Sequence, residues 1–140
     1  MKRRFCLLAQ GLPAGVTTSL LYQDERIVAF EDINPSAHRH YLVTPKEHIP
    51  SVYQLHKGEE HHALVTHMVK TGKTLMQRDA PAAIEYRFGF NRPPFNSVNH
   101  LHLHCLALPY RSWWRCLKYL SLGPFGYVDV NIVLQNLRIR

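Results

Sequence analysis

Histidines and apolar residues alternate along one short stretch, and this alternation restricts the local fold more than any other feature of the chain. His100, His102 and His104 are separated by Leu101 and Leu103. The period-two pattern predicts a half-buried β-strand, because successive side chains on a strand point to opposite faces. The strand would place the three imidazoles on one face and pack the leucines behind them. Three imidazoles on one face of a strand, with apolar residues packed on the other face, indicate a functional site.

The remaining patterns predict an α+β domain with an antiparallel sheet. Apolar residues recur at three- and four-residue spacing from Glu59 to about Arg78, which predicts one long amphipathic helix. Asp129 is predicted to cap a short terminal helix. Besides the histidine strand, the predicted strands are residues 20–22, 27–30, 40–44 and 87–91, the first two joined as a hairpin. Strands grouped around one long helix are typical of α+β domains.

Length and charge limit the function classes. At 140 residues the chain has the length of one domain, so we expect a single domain over residues 1–140. Its formal net charge of +7 favours anionic partners, from nucleotides to nucleic acids. The basic residues are scattered, with short clusters only at residues 2–4 and between Arg111 and Lys118. We therefore expect a small anion, and a nucleic-acid surface is the less favoured alternative.

Cysteine usage and the N-terminus predict the compartment. The three cysteines form no C-x-x-C pair, which indicates a reducing environment. The apolar run after residues 2–4 is shorter than the hydrophobic region of a usual secretory signal, although residues 1–23 lack acids as transit peptides do. We predict a cytoplasmic protein and leave nuclear or organellar targeting open. No segment approaches the roughly 20 apolar residues that span a bilayer, so no membrane partner is expected.

Two chemistries compete for the three histidines. Imidazole is a common zinc ligand, but His100 and His104 would lie about 13 Å apart along a regular strand, so one ion bound by all three would strain it. Two of them with a distant ligand remain an alternative. The second chemistry is nucleophilic, because flanking imidazoles can orient the middle one and histidine forms covalent intermediates. Strand histidines without a function are the third alternative. Four others are expected on or beside a solvated helix face: His56, His61, His62 and His67.

The histidine stretch resembles the signature of the histidine triad nucleotide-binding family. Residues 100–106 are similar to its alternating motif, and residues 30–49 are similar to its nucleotide-binding half. Residues 88–97 and 118–124 resemble a narrower branch whose plant members include adenylylsulfatases, which cleave adenosine 5′-phosphosulfate. The resemblance covers nearly the whole chain. It implies an antiparallel sheet with one long helix and a short C-terminal helix, and commonly a homodimer.

The resemblance also implies roles for individual residues. His102 would attack the α-phosphate and form an adenylyl-histidine intermediate, which water would then cleave to AMP. His104 would donate to the phosphate, the backbone at His100 would fix the tautomer of His102, and His40 would support this network. The implied nucleotide-binding residues are Asp32 for the ribose, Phe5, Leu8, Phe30 and Ile33 for the base, and Asn91 and Ser97 for the phosphate side. Core packing is the alternative for the four apolar residues, and a turn serine is the alternative for Ser97.

Two positions depart from the patterns of these relatives. The plant branch often has histidine where this chain has Asn91, which corresponds to an asparagine of phosphoramidase relatives. Several family members hold zinc with an N-terminal Cys-x-x-Cys. Here Cys6 is present but Arg3 replaces the first cysteine, and a guanidinium is no zinc ligand. We therefore predict no metal and no other cofactor, and we interpret His48 as structural.

The sequence thus predicts an enzyme that cleaves adenosine 5′-monophosphate from a leaving group. Adenosine 5′-phosphosulfate is the expected substrate, with water or phosphate as acceptor. A phosphoramidate is the alternative substrate, because an amine leaving group needs a general acid whereas sulfate needs no proton. A nucleotide-binding regulatory module without turnover is the alternative from another class.

Overall fold

A computed structural model describes residues 20–96 and 98–139 of the chain. Its strands are β1 (Leu20–Gln23), β2 (Ile27–Glu31), β3 (Ala37–Pro45), β4 (Tyr86–Arg92), β5 (Leu103–Tyr110), β6 (Ser121–Leu122) and β7 (Phe125–Asp129). They form one seven-stranded sheet in the order β1-β2-β3-β5-β4-β7-β6, in which every pair is antiparallel. The helices are α1 (Glu59–Asp79) and α2 (Val130–Leu137), with 3₁₀ helices at Val52–Gln54 and Trp113–Tyr119.

The predicted α+β architecture is confirmed. The long helix ends one residue beyond the predicted end, at Asp79, and two acidic residues occupy its first turn. Asp129 caps α2, because its carboxylate accepts the backbone N–H of Asn131 at 2.9 Å. The sequence patterns missed β6, β7 and both 3₁₀ helices. No helix in the described residues combines the length and apolarity that crossing a membrane requires.

The histidine stretch is not a strand over its whole length, and this part of the prediction is wrong. β5 begins at Leu103, so His104 lies within the strand whereas His100 and His102 precede it. The reason is a set of contacts made elsewhere. Leu101 N–H donates to the Ile49 carbonyl at 2.6 Å instead of joining the ladder with β3. The chain therefore joins the sheet only after His102.

The main core lies between α1 and one face of the sheet. This helix buries its apolar stripe against side chains that alternate along the histidine stretch and β5. The alternation predicted from sequence is thus retained in packing, with Leu101, Leu103 and Cys105 all in this core. Each fully buried aliphatic side chain contributes about 1.5–3 kcal/mol. The opposite face of the sheet carries a smaller cluster: Ala37, Leu106, Tyr119 and Tyr127.

Gly72 allows α1 to approach β5 closely, and we expect Gly72→Ala to destabilise the fold. A Cβ at this position would lie 2.6 Å from the Sγ of Cys105, which is fully buried. Alanine favours a helix by up to about 1 kcal/mol over glycine, but overpacking a core costs about 1–3 kcal/mol. Urea denaturation should show a lower free energy of unfolding. In a double-mutant cycle, Cys105→Ala should recover part of the loss, and strictly additive effects would contradict the clash.

Candidate active site

Neighbouring strands bring two histidines together on the sheet face opposite α1. His40 lies on β3 and His104 on β5, where the register pairs His40 with Leu106 and Leu42 with His104. The two imidazoles are therefore diagonal neighbours on one face, within reach of each other. His40 Nε2 lies 2.9 Å from His104 Nδ1, and both rings are buried. The alternation of side chains along β3 and β5 thus places His40 and His104 together at the centre of the site.

The hydrogen bonds fix the tautomers of this pair. The backbone N–H of Ser36 donates to His40 Nδ1 at 3.0 Å, so the proton of His40 is on Nε2. That N–H donates to His104 Nδ1, which places the proton of neutral His104 on its own Nε2. His104 Nε2 is buried and has no hydrogen-bond partner among the described residues. A buried donor without a partner is available to an acceptor atom of a ligand.

His102 is held by the backbone beside His104. Its Nδ1–H donates to the carbonyl oxygen of His100 at 2.7 Å, so the lone pair of neutral His102 is on Nε2. The ring centroids of His102 and His104 are 4.9 Å apart. Burial lowers the pKa of His102 to about 4, which keeps the ring neutral at pH 7. A neutral imidazole with an oriented lone pair is chemically a nucleophile.

The ring of His100 anchors the segment that carries this carbonyl. Its Nε2–H donates to the Pro45 carbonyl oxygen at 2.9 Å, because a carbonyl can only accept. Its Nδ1 then accepts from Nδ1–H of His48, also at 2.9 Å. Burial lowers the pKa of His100. The His100 side chain therefore holds the backbone in place, and its carbonyl contacts His102.

The inner histidines are uncharged at neutral pH, and this predicts a loss of stability in mild acid. Burial lowers the pKa of His40 to about 3 and that of His102 to about 4, from an ordinary value of 6.5. Between about pH 6.5 and 4 the unfolded chain binds more protons, so the free energy of unfolding falls as the pH falls. Urea denaturation between pH 7.5 and 4.5 should show this slope. His102→Asn should reduce it, and an unchanged slope would contradict the lowered pKa.

The carboxylate of Asp32 lies beside the paired histidines. Its Oδ2 is 3.4 Å from His40 Nε2, and its Oδ1 accepts the backbone N–H of Asn34 at 2.8 Å. Burial raises the pKa of Asp32, and the positive charges of Lys118 and Arg115 oppose this shift. An acceptor-only group at the edge of the site is suited to hydroxyl donors such as those of a ribose.

Within the described ranges 20–96 and 98–139, one group of at least three potential metal ligands has its ligating atoms within 4.8 Å of one another: Asp32, His40 and His104. However, His40 Nε2 and His104 Nδ1 share one proton in a hydrogen bond. Metal ligation would need a lone pair on both nitrogens, whereas the Ser36 N–H holds the proton of His40 on Nε2. This donor set does not fit a metal ion.

The remaining predicted residues lie in different environments. Phe30 is buried in a small cluster with Val28, Leu42 and Val98, whereas Ile33 is 52% exposed. Asn91 is buried, and its Oδ1 has no hydrogen-bond partner among the described residues. It lines a cavity of about 10 Å³, which is about the volume for one water molecule, together with His100 and His102. Three predicted residues lie outside the described part of the chain: Phe5, Leu8 and Ser97.

Of the four histidines expected on or beside a solvated helix face, His56 is exposed as expected and the other three differ. His62 is half-buried, and its Nε2 has no hydrogen-bond partner among the described residues. His61 is buried, and its Nδ1 accepts the backbone N–H of His56 at 2.8 Å. His67 is half-buried, and its Nε2 lies 2.6 Å from a carboxylate oxygen of Asp24. His61 and His67 both make contacts with residues outside α1, which helical periodicity alone does not predict.

The second 3₁₀ helix brings positive charge to the site, and sequence reasoning missed this. The buried ring of Tyr119 has its centroid 5.3 Å from that of His104 and 5.9 Å from that of His40. Arg115 Nη2 donates to Asn34 Oδ1 at 3.3 Å. The positive charge of Lys118 lowers the pKa of all four inner groups: Asp32, His40, His102 and His104. The basic cluster between Arg111 and Lys118 was the available signal.

Comparison with known sequences finds similar proteins that match most of the chain. A family model described as "Scavenger mRNA decapping enzyme C-term binding" matches residues 5–118. The chain is 51% identical to the bifunctional adenosine 5′-phosphosulfate phosphorylase/adenylylsulfatase HINT4 of Arabidopsis thaliana, over 95% of this chain and 91% of that protein. It is 38% identical to the adenosine 5′-monophosphoramidase HINT3 of Mus musculus, over 96% of this chain and 80% of that protein.

Solved structures share the architecture. A HIT family hydrolase from Legionella pneumophila superimposes with a TM-score of 0.65 at 31% identity, over 78% of this chain and 95% of that one. A histidine triad protein from Clostridium difficile gives a TM-score of 0.62 at 29% identity, over 77% of this chain and 94% of that one. With the motif, the sheet and the relatives in agreement, the chain belongs to the histidine triad family of nucleotide-cleaving enzymes.

Proposed function

We propose that the protein cleaves adenosine 5′-phosphosulfate at the α-phosphate through a covalent intermediate on His102. The observation that carries this proposal is the pair of fixed tautomers. The lone pair of neutral His102 is on Nε2, and the adjacent ring of His104 presents a buried N–H that lacks a partner among the described residues. A nucleophilic nitrogen and a hydrogen-bond donor thus lie on adjacent rings. The name of the Arabidopsis thaliana relative supports phosphosulfate as substrate.

In the first step, the lone pair of His102 Nε2 attacks the α-phosphorus. A nitrogen–phosphorus bond forms while the bond from phosphorus to the leaving oxygen breaks, and sulfate departs with that electron pair. No proton is required, because sulfate is a weak base. The imidazole becomes cationic, and the His100 carbonyl stabilises it through the Nδ1–H bond. His104 Nε2–H donates to a phosphate oxygen as negative charge develops.

In the second step, an acceptor attacks the same phosphorus opposite the bond to His102. That bond breaks and its electron pair returns to Nε2, which restores the enzyme. With water as acceptor the product is AMP, and the released proton goes to solvent. With inorganic phosphate as acceptor the product is ADP. A two-step route lets one imidazole serve both displacements.

The substrate-binding roles follow the same proposal. Asp32 accepts the ribose hydroxyls, because its carboxylate lies at the edge of the histidine pair. Asn91 and Ser97 contact the phosphate side. The adenine base contacts four apolar residues: Phe5, Leu8, Phe30 and Ile33.

The test is turnover of two substrates by the purified protein. We expect AMP and sulfate from adenosine 5′-phosphosulfate, ADP when phosphate is added, and a lower kcat/KM with adenosine 5′-phosphoramidate. Faster cleavage of the phosphoramidate would instead support the phosphoramidase alternative, which Asn91 favours. Binding of AMP with no turnover of either substrate would make the protein a nucleotide-binding module.

We also propose a single domain that assembles as a homodimer, with a cytoplasmic location. In the described ranges β4 is paired on both sides, so sheet pairing between two copies would use β1 or β6. Exposed apolar residues near β6 favour self-association: Leu120, Leu122 and Phe125. Small-angle scattering tests the assembly, and a monomer in solution would overturn the dimer. Urea denaturation tests the single domain, which should unfold in one cooperative transition. Microscopy of the tagged protein tests the location.

A further inference from the structure

The inner site lacks the positive charge that an anionic substrate needs. His40, His102 and His104 are buried and neutral at pH 7, because burial lowers the pKa of each. Adenosine 5′-phosphosulfate carries negative charge on its phosphate and on its sulfate. A second charge develops on the sulfate as the phosphorus–oxygen bond breaks. Stabilising charge that develops in the transition state is commonly the largest single contribution to catalysis.

Lys118 lies close enough to the site for its positive charge to lower the pKa of His40, His102 and His104. It immediately precedes Tyr119, whose fully buried ring packs edge-on against both His40 and His104. The side chain of Lys118 is exposed, and its ammonium makes no hydrogen bond or ion pair with any residue the structure describes. Its flexible stem can bring a point charge to a tetrahedral anion.

The other two cations of this segment already have partners. Arg115 donates to Asn34 Oδ1 and lies over the ring of Trp114, 4.9 Å from its centroid. The Nε–H of Arg111 donates to the Ala37 carbonyl oxygen at 3.0 Å. Arg115 therefore supports the loop that carries Asp32. Of these three cations, Lys118 is the one left for a ligand.

We propose that Lys118 binds the anionic leaving group at the mouth of the site and makes the enzyme selective for leaving groups that depart as anions. This proposal rests on the proposed function, since it assigns the leaving-group end of the same reaction. The ammonium contacts sulfate oxygens in the bound substrate. It stabilises the leaving sulfate more strongly as its second charge develops.

The experiment compares two substrates in Lys118→Ala. Phosphosulfate and phosphoramidate share the adenosine and the α-phosphate, and they differ in the charge of the leaving group. We expect kcat/KM for phosphosulfate to fall by about 10²-fold, the size of effect seen when one charge-stabilising donor is removed. For the phosphoramidate we expect a change below about threefold, and Lys118→Arg should restore part of the phosphosulfate activity. Equal losses on both substrates, or no loss, would overturn the role of Lys118.

Two controls separate this role from general effects. Lys70→Ala removes the same charge from an exposed position on α1, on the other side of the sheet, and should leave the ratio of the two kcat/KM values unchanged. The inhibition constant of adenosine, which has no phosphate, should be the same in Lys118→Ala if the pocket is intact. A native protein that fails to cleave phosphosulfate would overturn the proposed function itself, a result visible before any variant is made.

Discussion

Replacing His102 with glycine should abolish turnover, with kcat lowered by about 10⁴-fold or more. The variant lacks the Nε2 lone pair that forms the bond to phosphorus, so neither step of the reaction can proceed through the protein. The backbone carbonyl of His100 and the donor on His104 remain. These groups can still bind and polarise the phosphate, but without a nucleophile they leave only the slow direct attack of water.

Rapid-quench kinetics with adenine-labelled phosphosulfate gives the measurement. The native protein should accumulate an acid-labile adenylylated form within one turnover, and His102→Gly should show none. The cavity left by the missing ring can admit free imidazole. Added imidazole should therefore restore product formation in the variant as adenylyl-imidazole. His56→Gly is the matched control, because His56 is exposed and lies in a loop before α1. A covalent adenylyl group on His102→Gly would disprove the assignment of the nucleophile.

Replacing His104 with alanine should lower kcat by about 10²–10³-fold with a smaller effect on KM. The reason is the buried Nε2–H of His104, which has no partner among the described residues and is directed to a substrate oxygen in the proposed mechanism. The interaction strengthens as charge grows on the phosphate, so its loss raises the barrier more than it weakens binding. The substitution also removes the acceptor for the His40 Nε2–H.

A glutamine at this position distinguishes the loss of the hydrogen-bond donor from the loss of ring packing. His104→Gln retains an N–H donor of similar reach and should recover part of kcat, whereas alanine should not. The single-turnover rate of adenylylation is the decisive quantity, because it reports the first step without product release. Thermal unfolding of both variants serves as the control, since each leaves His40 in an altered environment. A native adenylylation rate in His104→Ala would contradict the assignment of the donor.

Local sequence pattern predicted the parts of the fold that depend on neighbouring residues. The spacing of residues along the chain predicted three features. These are the helical periodicity of α1, the cap at Asp129, and the opposite sheet faces on which Leu103 and His104 lie. The start of β5 could not be predicted in the same way. It depends on the bond from Leu101 N–H to Ile49 O, a contact between segments far apart in sequence.

The chemistry of the site could be predicted only in part from the sequence, for the same reason. The motif indicated His102 and His104, but their tautomers depend on Ser36 N–H and the His100 carbonyl, which are backbone groups without any sequence signature. The position of Lys118 depends on Tyr119 being buried against strands that are distant in sequence. Spacing alone could not place that lysine near the triad.

The hydrogen-bond chain from Ser36 through His40 to His104 has one direction, and this restricts how protons move. Each donor points toward His104, and the chain starts at a backbone amide, which does not ionise at neutral pH. It therefore acts as a fixed dipole rather than a proton wire. If His104 gave its proton to a leaving group, no replacement could arrive through His40, and reprotonation would have to come from the solvent side. A leaving group that departs without a proton avoids this delay.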